Sequence, residues 1–187
     1  MTRRCKIGGL VAGLALLLAG CSTGLNTDGP FGSSAADVGS QCFWTPRDGV
    51  GTFAVLAFGN SGGPARIDKV TLIGSRHLQI VAAWAVPITG TDLFGVFLGY
   101  PPHGLNGSAG PLAPGVQWGH RQRVDGAVIP HIRGQDVINL VLVLKPSGRE
   151  GTARTEYVYY QSGGTRYLLN MGVGIQVFNG NEHGCGG

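Results

Sequence analysis

Short segments of strand type dominate the chain between Cys42 and Cys185 and limit what it can fold into. They recur about every 8 to 15 residues, and each is bounded by Gly, Pro, Asn or Asp. No window shows helical periodicity with helix caps, and 34 glycines with 10 prolines favour many turns. The pattern predicts an all-β fold, an antiparallel β-sandwich that is broadly immunoglobulin-like, although the cysteine-tryptophan-cysteine spacing of immunoglobulins is absent. The expected strands are 52–58, 67–72, 78–86, 93–98, 116–124, 127–129, 137–144, 154–160, 167–171 and 173–178.

Two of these segments are apolar on both faces. Residues 52–58 read Thr-Phe-Ala-Val-Leu-Ala-Phe, and residues 137–144 read Val-Ile-Asn-Leu-Val-Leu-Val-Leu. A strand with one solvated face alternates apolar and polar residues, so continuous apolar segments belong in the middle of a sheet. Further along, Ser162-Gly163-Gly164 has the chemistry of a hairpin turn. The sequence therefore predicts two central strands and a tight hairpin.

The start of the chain has the layout of an export signal. Arg3, Arg4 and Lys6 precede an apolar run of 13 residues, 7–19, and small residues follow. A helix that spans a bilayer needs about 20 apolar residues. The run is therefore better interpreted as a signal peptide than as a permanent transmembrane anchor.

The tetrapeptide Leu18-Ala19-Gly20-Cys21 resembles a bacterial lipobox, the motif at which signal peptidase II acts. By that resemblance, Cys21 would carry a thioether-linked diacylglycerol and become the first residue of the mature protein. Two acyl chains anchor stably where one binds only marginally. The resemblance thus implies a lipoprotein on the extracytoplasmic side of the cell membrane, with a body similar to secreted immunoglobulin-like lipoproteins. Two alternatives stay open: an ordinary secretory peptide cleaved after Gly20, and a cytosolic protein with an apolar start.

Removing the leader changes the charge of the chain. It takes away three of the 14 basic residues and none of the 10 acidic ones, so the net charge falls from +4 to about +1. The basic character therefore belongs to the leader. The mature sequence gives no support for nucleic-acid binding.

These features predict a chain in three parts. Residues 1–20 form the signal peptide, residues 21–41 are the lipidated cysteine with a flexible linker, and residues 42–187 are a single β-sandwich domain. The linker is rich in Ser, Thr, Gly, Asp and Asn, which is typical of a flexible tether. The alternative is that part of it packs as a first strand, through Phe31 or Val38.

The cysteines predict one covalent crosslink. Cys5 leaves with the leader and Cys21 is the lipidation site, so Cys42 and Cys185 remain as an even pair in an oxidising compartment. We expect a disulfide between them, which would join the two ends of the domain. The alternative is a metal or redox pair, since His183 lies two residues before Cys185.

The hexapeptide Gly59-Asn60-Ser61-Gly62-Gly63-Pro64 resembles the nucleophile loop of trypsin-like serine proteases. In that family the glycines shape an oxyanion hole, and a histidine and an aspartate from earlier in the chain activate the serine. No histidine precedes Ser61, and the mature chain upstream is too short for the barrel that carries those partners. The resemblance therefore does not extend to function, and the hexapeptide is predicted to be a turn between two strands.

Other signals of catalysis or metal binding are absent from the sequence. There is no Gly-x-Ser-x-Gly, no phosphate-binding loop, no His-Glu-x-x-His and no Ser-x-x-Lys. We predict that the protein is not an enzyme and needs no cofactor. We also predict no metal site, because metal-ligand spacing is lacking among the five histidines: His77, His103, His120, His131 and His183.

The long segment 99–115 is the stretch most suited to specificity. It lacks strand pattern, and loops beyond about 12 residues are uncommon unless they are functional or disordered. Aromatic residues flank it and could form a platform for sugar rings or a peptide. The alternative is a connector with Trp118 in the core. The candidate ligand contacts are Tyr100, His103, Trp118, His120 and Arg121.

Taken together, the sequence predicts a binding or interaction module at the cell envelope, with a membrane anchor and an envelope protein or glycan as partner. One rival is a small-ligand or metal binder. The other is an envelope hydrolase, which requires catalytic side chains to converge in one pocket. For that rival the residues to follow are Asp125, Asp136, Glu150 and the histidines.

Overall fold

The structure, a computed structural model, describes residues 25–33, 39–90, 95–102, 114–180 and 184–185. In these ranges the chain forms thirteen β-strands and one short 3₁₀ helix, Trp118–His120, and none of its helices has the length and apolar character needed to cross a membrane. The strands are β1 (Phe31–Ser33), β2 (Ser40–Thr45), β3 (Gly51–Asn60), β4 (Ala65–Ile73), β5 (Leu78–Ile88), β6 (Val96–Leu98), β7 (Gln122–Arg123), β8 (Val128–Ile129), β9 (Val137–Pro146), β10 (Glu150–Ala153), β11 (Thr155–Ser162), β12 (Thr165–Asn170) and β13 (Gly174–Asn179).

The strands form three sheets that pack together as a β-sandwich, which confirms the predicted fold class. The largest sheet has the order β1-β3-β9-β5-β7, with β6 also paired to β3. A four-stranded sheet has the order β12-β11-β4-β8, and a three-stranded sheet has the order β10-β13-β2. The pairs of strands are antiparallel except β13 with β2, which is parallel. The immunoglobulin-like detail stays a prediction.

The two segments predicted to be central are central. β3 and β9 pair with each other in the six-stranded sheet, and almost every residue of both is buried. Leu140, Leu142 and Leu144 of β9 point into the main core between the sheets. Val141 points to the other face, into a second cluster with Val86, Ile88 and Phe97.

Two predicted turns are also confirmed. The segment that resembles a protease loop joins β3 to β4, because β3 ends at Asn60 and β4 begins at Ala65. β11 and β12 form a hairpin in which Ser162 pairs with Thr165. Gly163 and Gly164 both have positive φ, 56° and 79°, which a two-residue hairpin turn of this kind requires and glycine permits.

The strand predicted at 116–124 is wrong for most of its length. Val116 pairs with Ile88 of β5, and Gln122 pairs with Ala85 of the same strand. Between these two pairs the segment advances six residues while β5 advances only three, so three residues of the segment have no partner on β5. The extra residues leave the ladder and coil into the 3₁₀ helix at Trp118–His120. The alternation of polar and apolar residues suggested a continuous strand, but only β7 remains of it.

Residues predicted to be in the tether are packed against the sandwich. Asn26 forms a bridge with Tyr167, and its carbonyl accepts a 2.9 Å hydrogen bond from the backbone of Leu168. Phe31 begins β1, and its ring stacks on that of Tyr160 with centroids 3.9 Å apart. A Cβ at Gly29 would overlap the Tyr160 hydroxyl, so only glycine allows this close approach. The alternative of a first strand through Phe31 is the one that the structure shows; Val38 and Cys21 lie outside the described residues.

The predicted disulfide between Cys42 and Cys185 is present. The two Cα atoms lie 5.7 Å apart, and the bond spans 143 residues of sequence. Cys42 lies on β2, an edge strand of the three-stranded sheet. The bond therefore holds the end of the described chain to a strand near its beginning.

Removing this disulfide should destabilise the domain substantially. In the chain-entropy model, a loop of this length contributes up to about 5 kcal/mol. We expect the double variant Cys42→Ala, Cys185→Ala to unfold at a much lower denaturant concentration than the oxidised protein. The reduced wild-type protein should behave like the variant. Equal unfolding midpoints for oxidised and reduced protein would show that the bond does not constrain the unfolded chain.

Candidate functional site

A pocket of about 490 Å³ lies at one end of the six-stranded sheet. Its place is set by the paired residues Ile88, which ends β5, and Val137, which begins β9. Volumes of this size are typical of small-molecule sites. The lining residues are Ala85, Pro87, Ile88, Thr89, Gln117, His120, Gln122, Ile129, Pro130, His131, Ile132, Arg133, Asp136, Val137 and Ile138.

The inner surface of the pocket is aliphatic. Ile88 belongs to the second hydrophobic cluster, while Ile129 and Ile138 belong to the main core, and all three are buried. The pocket therefore lies where the two clusters meet at the end of the sheet. Since these side chains are fixed by the strands, the apolar wall is rigid.

The rim of the pocket carries exposed polar and charged side chains. His120 Nδ1 lies 3.1 Å from Gln117 Oε1, and His131 Nδ1 donates a 3.0 Å hydrogen bond to the carbonyl of Gly62. Asp136 accepts a 3.2 Å hydrogen bond from the backbone N–H of Gly90. Arg133 lines the pocket with no hydrogen bond to other described residues, so its guanidinium is free to meet a ligand.

Two segments without regular strand structure bring these groups together. The 3₁₀ helix exists because three residues are inserted opposite β5, and it places His120 at the rim. The segment between β8 and β9 supplies His131, Arg133 and Asp136. It is held by the buried amide of Asn60, whose Nδ2 donates to the carbonyls of Ile129 and Pro130 at 3.0 and 2.9 Å.

An aromatic and arginine stack lies beside the pocket. The Arg121 guanidinium lies over the rings of Trp118 and Trp84, at 4.8 and 5.2 Å from their centroids. Arg123 lies over Trp84 at 5.3 Å, and Tyr100 meets Trp118 edge to face at 6.3 Å. Such contacts stabilise by about 0.5–1 kcal/mol each at exposed sites. The stack fixes the 3₁₀ helix and with it the His120 side of the pocket.

The predicted contact residues are thus divided. Tyr100, Trp118 and Arg121 lie together, but the guanidinium covers the ring of Trp118, which also packs on the second cluster. His120 lies at the pocket rim instead. His103 lies outside the described residues. The platform predicted for sugar rings is therefore a packing unit in this structure, and its role as a ligand contact stays a prediction.

Most of the pocket could not be predicted from the sequence. Arg133 belongs to no motif, and His131 and Asp136 belong only to scattered sets of histidines and acidic residues. Residues 130–136 read Pro-His-Ile-Arg-Gly-Gln-Asp, a short polar stretch between two apolar strands. This contrast between a polar segment and its apolar neighbours could have indicated a binding site, since loops beside rigid strands often carry binding residues.

The residues named for a hydrolase do not all converge. Asp125 lines a different hollow, and Glu150 accepts a hydrogen bond from Gln176 elsewhere. His131 and Asp136 share the pocket, and Ser61 is near because Asp136 also lines a small hollow with it. The Ser61 hydroxyl, however, donates to the carbonyl of Pro30 at 3.1 Å. No hydrogen bond joins Ser61 to His131 in the described part of the chain.

Glu156 is a buried acid away from the pocket. It lies on β11 with its side chain fully buried, and neither carboxyl oxygen has a hydrogen-bond partner in the described ranges. Loss of hydration disfavours the charged form, so burial raises the pKa of Glu156 from its usual 4.5 to about 8. The carboxyl group is therefore protonated at neutral pH.

No protein-family model and no curated protein matches the chain. Among the described residues, no group of three or more His, Cys, Asp or Glu side chains is arranged to hold a metal ion.

Glu156 should make the stability of the protein depend on pH. Its pKa is higher in the folded than in the unfolded state, so the unfolded chain loses the proton first as pH rises. Stability should therefore be greatest below the unfolded pKa and fall by about 4 kcal/mol as the pH approaches the folded value near 8.

Denaturant unfolding across this pH range tests the effect. The variant Glu156→Gln should lose most of the slope, while Glu150→Gln, which removes an exposed carboxylate, should keep it. A slope that Glu156→Gln leaves unchanged would assign the pH dependence to other groups.

Proposed function

We propose that this protein is a lipid-anchored, extracytoplasmic binding module whose ligand occupies the pocket at the end of β5 and β9. The observation that carries the proposal is the pocket itself, which joins a rigid aliphatic wall to an exposed polar rim. Sites for small molecules combine a mostly apolar surface with a few polar groups that fix orientation. The lipid anchor rests on the resemblance of residues 18–21 to a lipobox.

The lining favours an amphipathic small ligand with an anionic end. The wall formed by Ile88, Ile129 and Ile138 offers an apolar surface to the apolar body of such a ligand. Arg133 offers a guanidinium, which binds carboxylate or phosphate groups with two parallel hydrogen bonds. His120 and His131 add ring nitrogens at the same rim, whereas the carboxylate of Asp136 already accepts the Gly90 N–H.

Arg133 should be the most sensitive position for binding. Thermal unfolding measured against a panel of amphipathic carboxylates and phosphates and cell-wall fragments should identify ligands that raise the melting temperature. Because a hydrogen bond to a charged group contributes about 1.5–3 kcal/mol, Arg133→Ala should weaken binding by roughly tenfold to a hundredfold.

The matched control is Arg149→Ala, which removes an exposed arginine that does not line the pocket. It should bind as the wild type does. If no member of the panel stabilises the protein, or if both variants bind equally, the pocket is not the binding site, and an envelope protein or a glycan bound elsewhere becomes the better hypothesis.

A hydrolase is the second candidate, because Ser61, His131 and Asp136 lie around two adjoining hollows. Against it, the hydroxyl of Ser61 and the ring of His131 each bond to a backbone carbonyl and not to one another. A catalytic serine requires a base within hydrogen-bond reach. A fluorophosphonate probe, which labels activated serines, should leave Ser61 unmodified. Labelling that disappears in Ser61→Ala would favour the hydrolase.

A further inference from the structure

We propose that one face of the domain lies directly against anionic phospholipid headgroups of the bilayer that holds Cys21. This face, the Leu25 patch, consists of Leu25, Arg66, Lys69, Tyr159, Arg166 and Tyr167. The inference rests on the proposed acylation of Cys21 and adds to it a definite orientation of the domain on the membrane.

The distance along the chain is short. Only three residues separate Cys21 from Leu25. Whatever path they take, a fully extended chain advances at most about 3.6 Å per residue, so Leu25 lies within about 14 Å of the acylated cysteine. The headgroup layer on one side of a bilayer is about 5 to 8 Å thick. The part of the domain around Leu25 must therefore lie at or near the headgroups.

The segment that leaves the membrane cannot swing freely from the domain. The backbone N–H of Asn26 donates to the carbonyl of Arg166 at 3.3 Å, and the N–H of Phe31 donates to the Tyr160 hydroxyl at 3.2 Å. The ring of Phe31 is buried in the main core. The chain from Asn26 to Phe31 and the sandwich thus form one body, and the residues beside Leu25 belong to it.

These residues have the chemistry of a membrane interface. They surround a hollow of about 240 Å³ lined by Leu25, Lys69, Arg166, Tyr159 and Tyr167 among others. Leu25 has 42% of its surface exposed, and the Lys69 ammonium lies 4.8 Å from the centre of the Tyr159 ring. Tyrosines are enriched at the headgroup level of membranes, and basic residues are attracted to anionic lipids.

Acidic residues near the patch reduce its charge without reversing it. Asp68 lines the same hollow, but it pairs with Arg66 at 3.2 Å and accepts a 2.9 Å hydrogen bond from Gln161. Asp28 lies on the segment that leads to β1. Against these two acids stand Arg66, Lys69 and Arg166. The modest positive balance suits a surface that orients an anchored domain and does not need to bind a membrane unaided.

A fluorophore close to the patch tests this orientation in the full-length, processed protein. The variant Thr165→Cys carries the label on an exposed residue next to Arg166, and Gln79→Cys carries it on an exposed residue of the six-stranded sheet. Mass spectrometry first establishes whether Cys21 is acylated. The protein is then placed in vesicles of phosphatidylcholine, with and without phosphatidylglycerol, that contain a headgroup-level nitroxide quencher. We expect strong quenching at 165, weak quenching at 79, and a larger difference with phosphatidylglycerol.

Removing two charges should release the domain from this orientation. Each basic residue near an anionic surface contributes about fivefold, so Lys69→Gln with Arg166→Gln should lower the ratio of docked to undocked domain by about twenty-five-fold. The matched control, Arg76→Gln with Arg149→Gln, removes the same charge from exposed positions outside the patch and should leave quenching unchanged.

The outcomes separate this inference from the proposed function. If Cys21 is acylated but the two labels are quenched equally, the orientation is wrong while the anchor stands. The recognition of anionic lipid is overturned if quenching is the same with and without phosphatidylglycerol. It is also overturned if the two double variants reduce quenching equally. An unacylated Cys21 overturns the anchor and this inference together, without bearing on binding in the pocket.

Discussion

Strand β9 is the constraint on which the rest of the structure depends, because it is apolar on both faces. A strand of this kind needs cover on two sides. The main core supplies one side, through the four-stranded and three-stranded sheets that pack over Leu140, Leu142 and Leu144. Phe97, Val116 and Trp118 supply the other. Val116 and Trp118 belong to the segment that leaves the ladder at the 3₁₀ helix, whereas Phe97 lies on the short strand β6, so short or irregular elements cover this face of β9.

The pocket is a consequence of the same arrangement. Near Val137, where β9 begins, aliphatic side chains from both hydrophobic clusters line the pocket. Polar residues enter there because the chain between β8 and β9 runs over the surface. A rigid apolar wall and a polar rim thus meet at this end of the sheet.

Strands whose sequence reflects burial on both faces could be predicted. The part of the fold that depends on the register between paired strands could not. Continuous apolar stretches identified β3 and β9, and paired glycines identified the hairpin after Ser162, because these signals are local. The disulfide could be predicted because Cys42 and Cys185 are the two cysteines that remain after the leader and the lipidation site are set aside. The 3₁₀ helix was not predictable from the sequence. It forms because its segment has three residues more than β5 can pair with, and this excess is known only when the pairing of the two segments is known. Arg133 was missed for the same reason: its importance comes from neighbours distant in sequence.

Polar composition misled the prediction at the start of the domain. Small and polar residues suggested a tether, yet Gly29 permits close backbone contact with Tyr160 and the ring of Phe31 stacks on that tyrosine in the main core. Asn139 shows the reverse: it interrupts the most apolar strand, is fully buried, and neither of its amide atoms has a partner among the described residues. In both cases one or two residues differ in their structural environment from what the composition of the surrounding segment predicts.

Strand β4 connects the two surfaces proposed to be functional. At Ala65 it pairs with Ile129 of the pocket wall, and at Lys69 it contributes to the Leu25 patch. Four residues of strand correspond to about 13 Å, so a domain docked through the patch holds part of the pocket wall close to the headgroup layer. A pocket suited to an apolar body with an anionic end would then lie beside a source of molecules of that chemistry. The two proposals rest on separate residues, but one rigid strand makes them compatible.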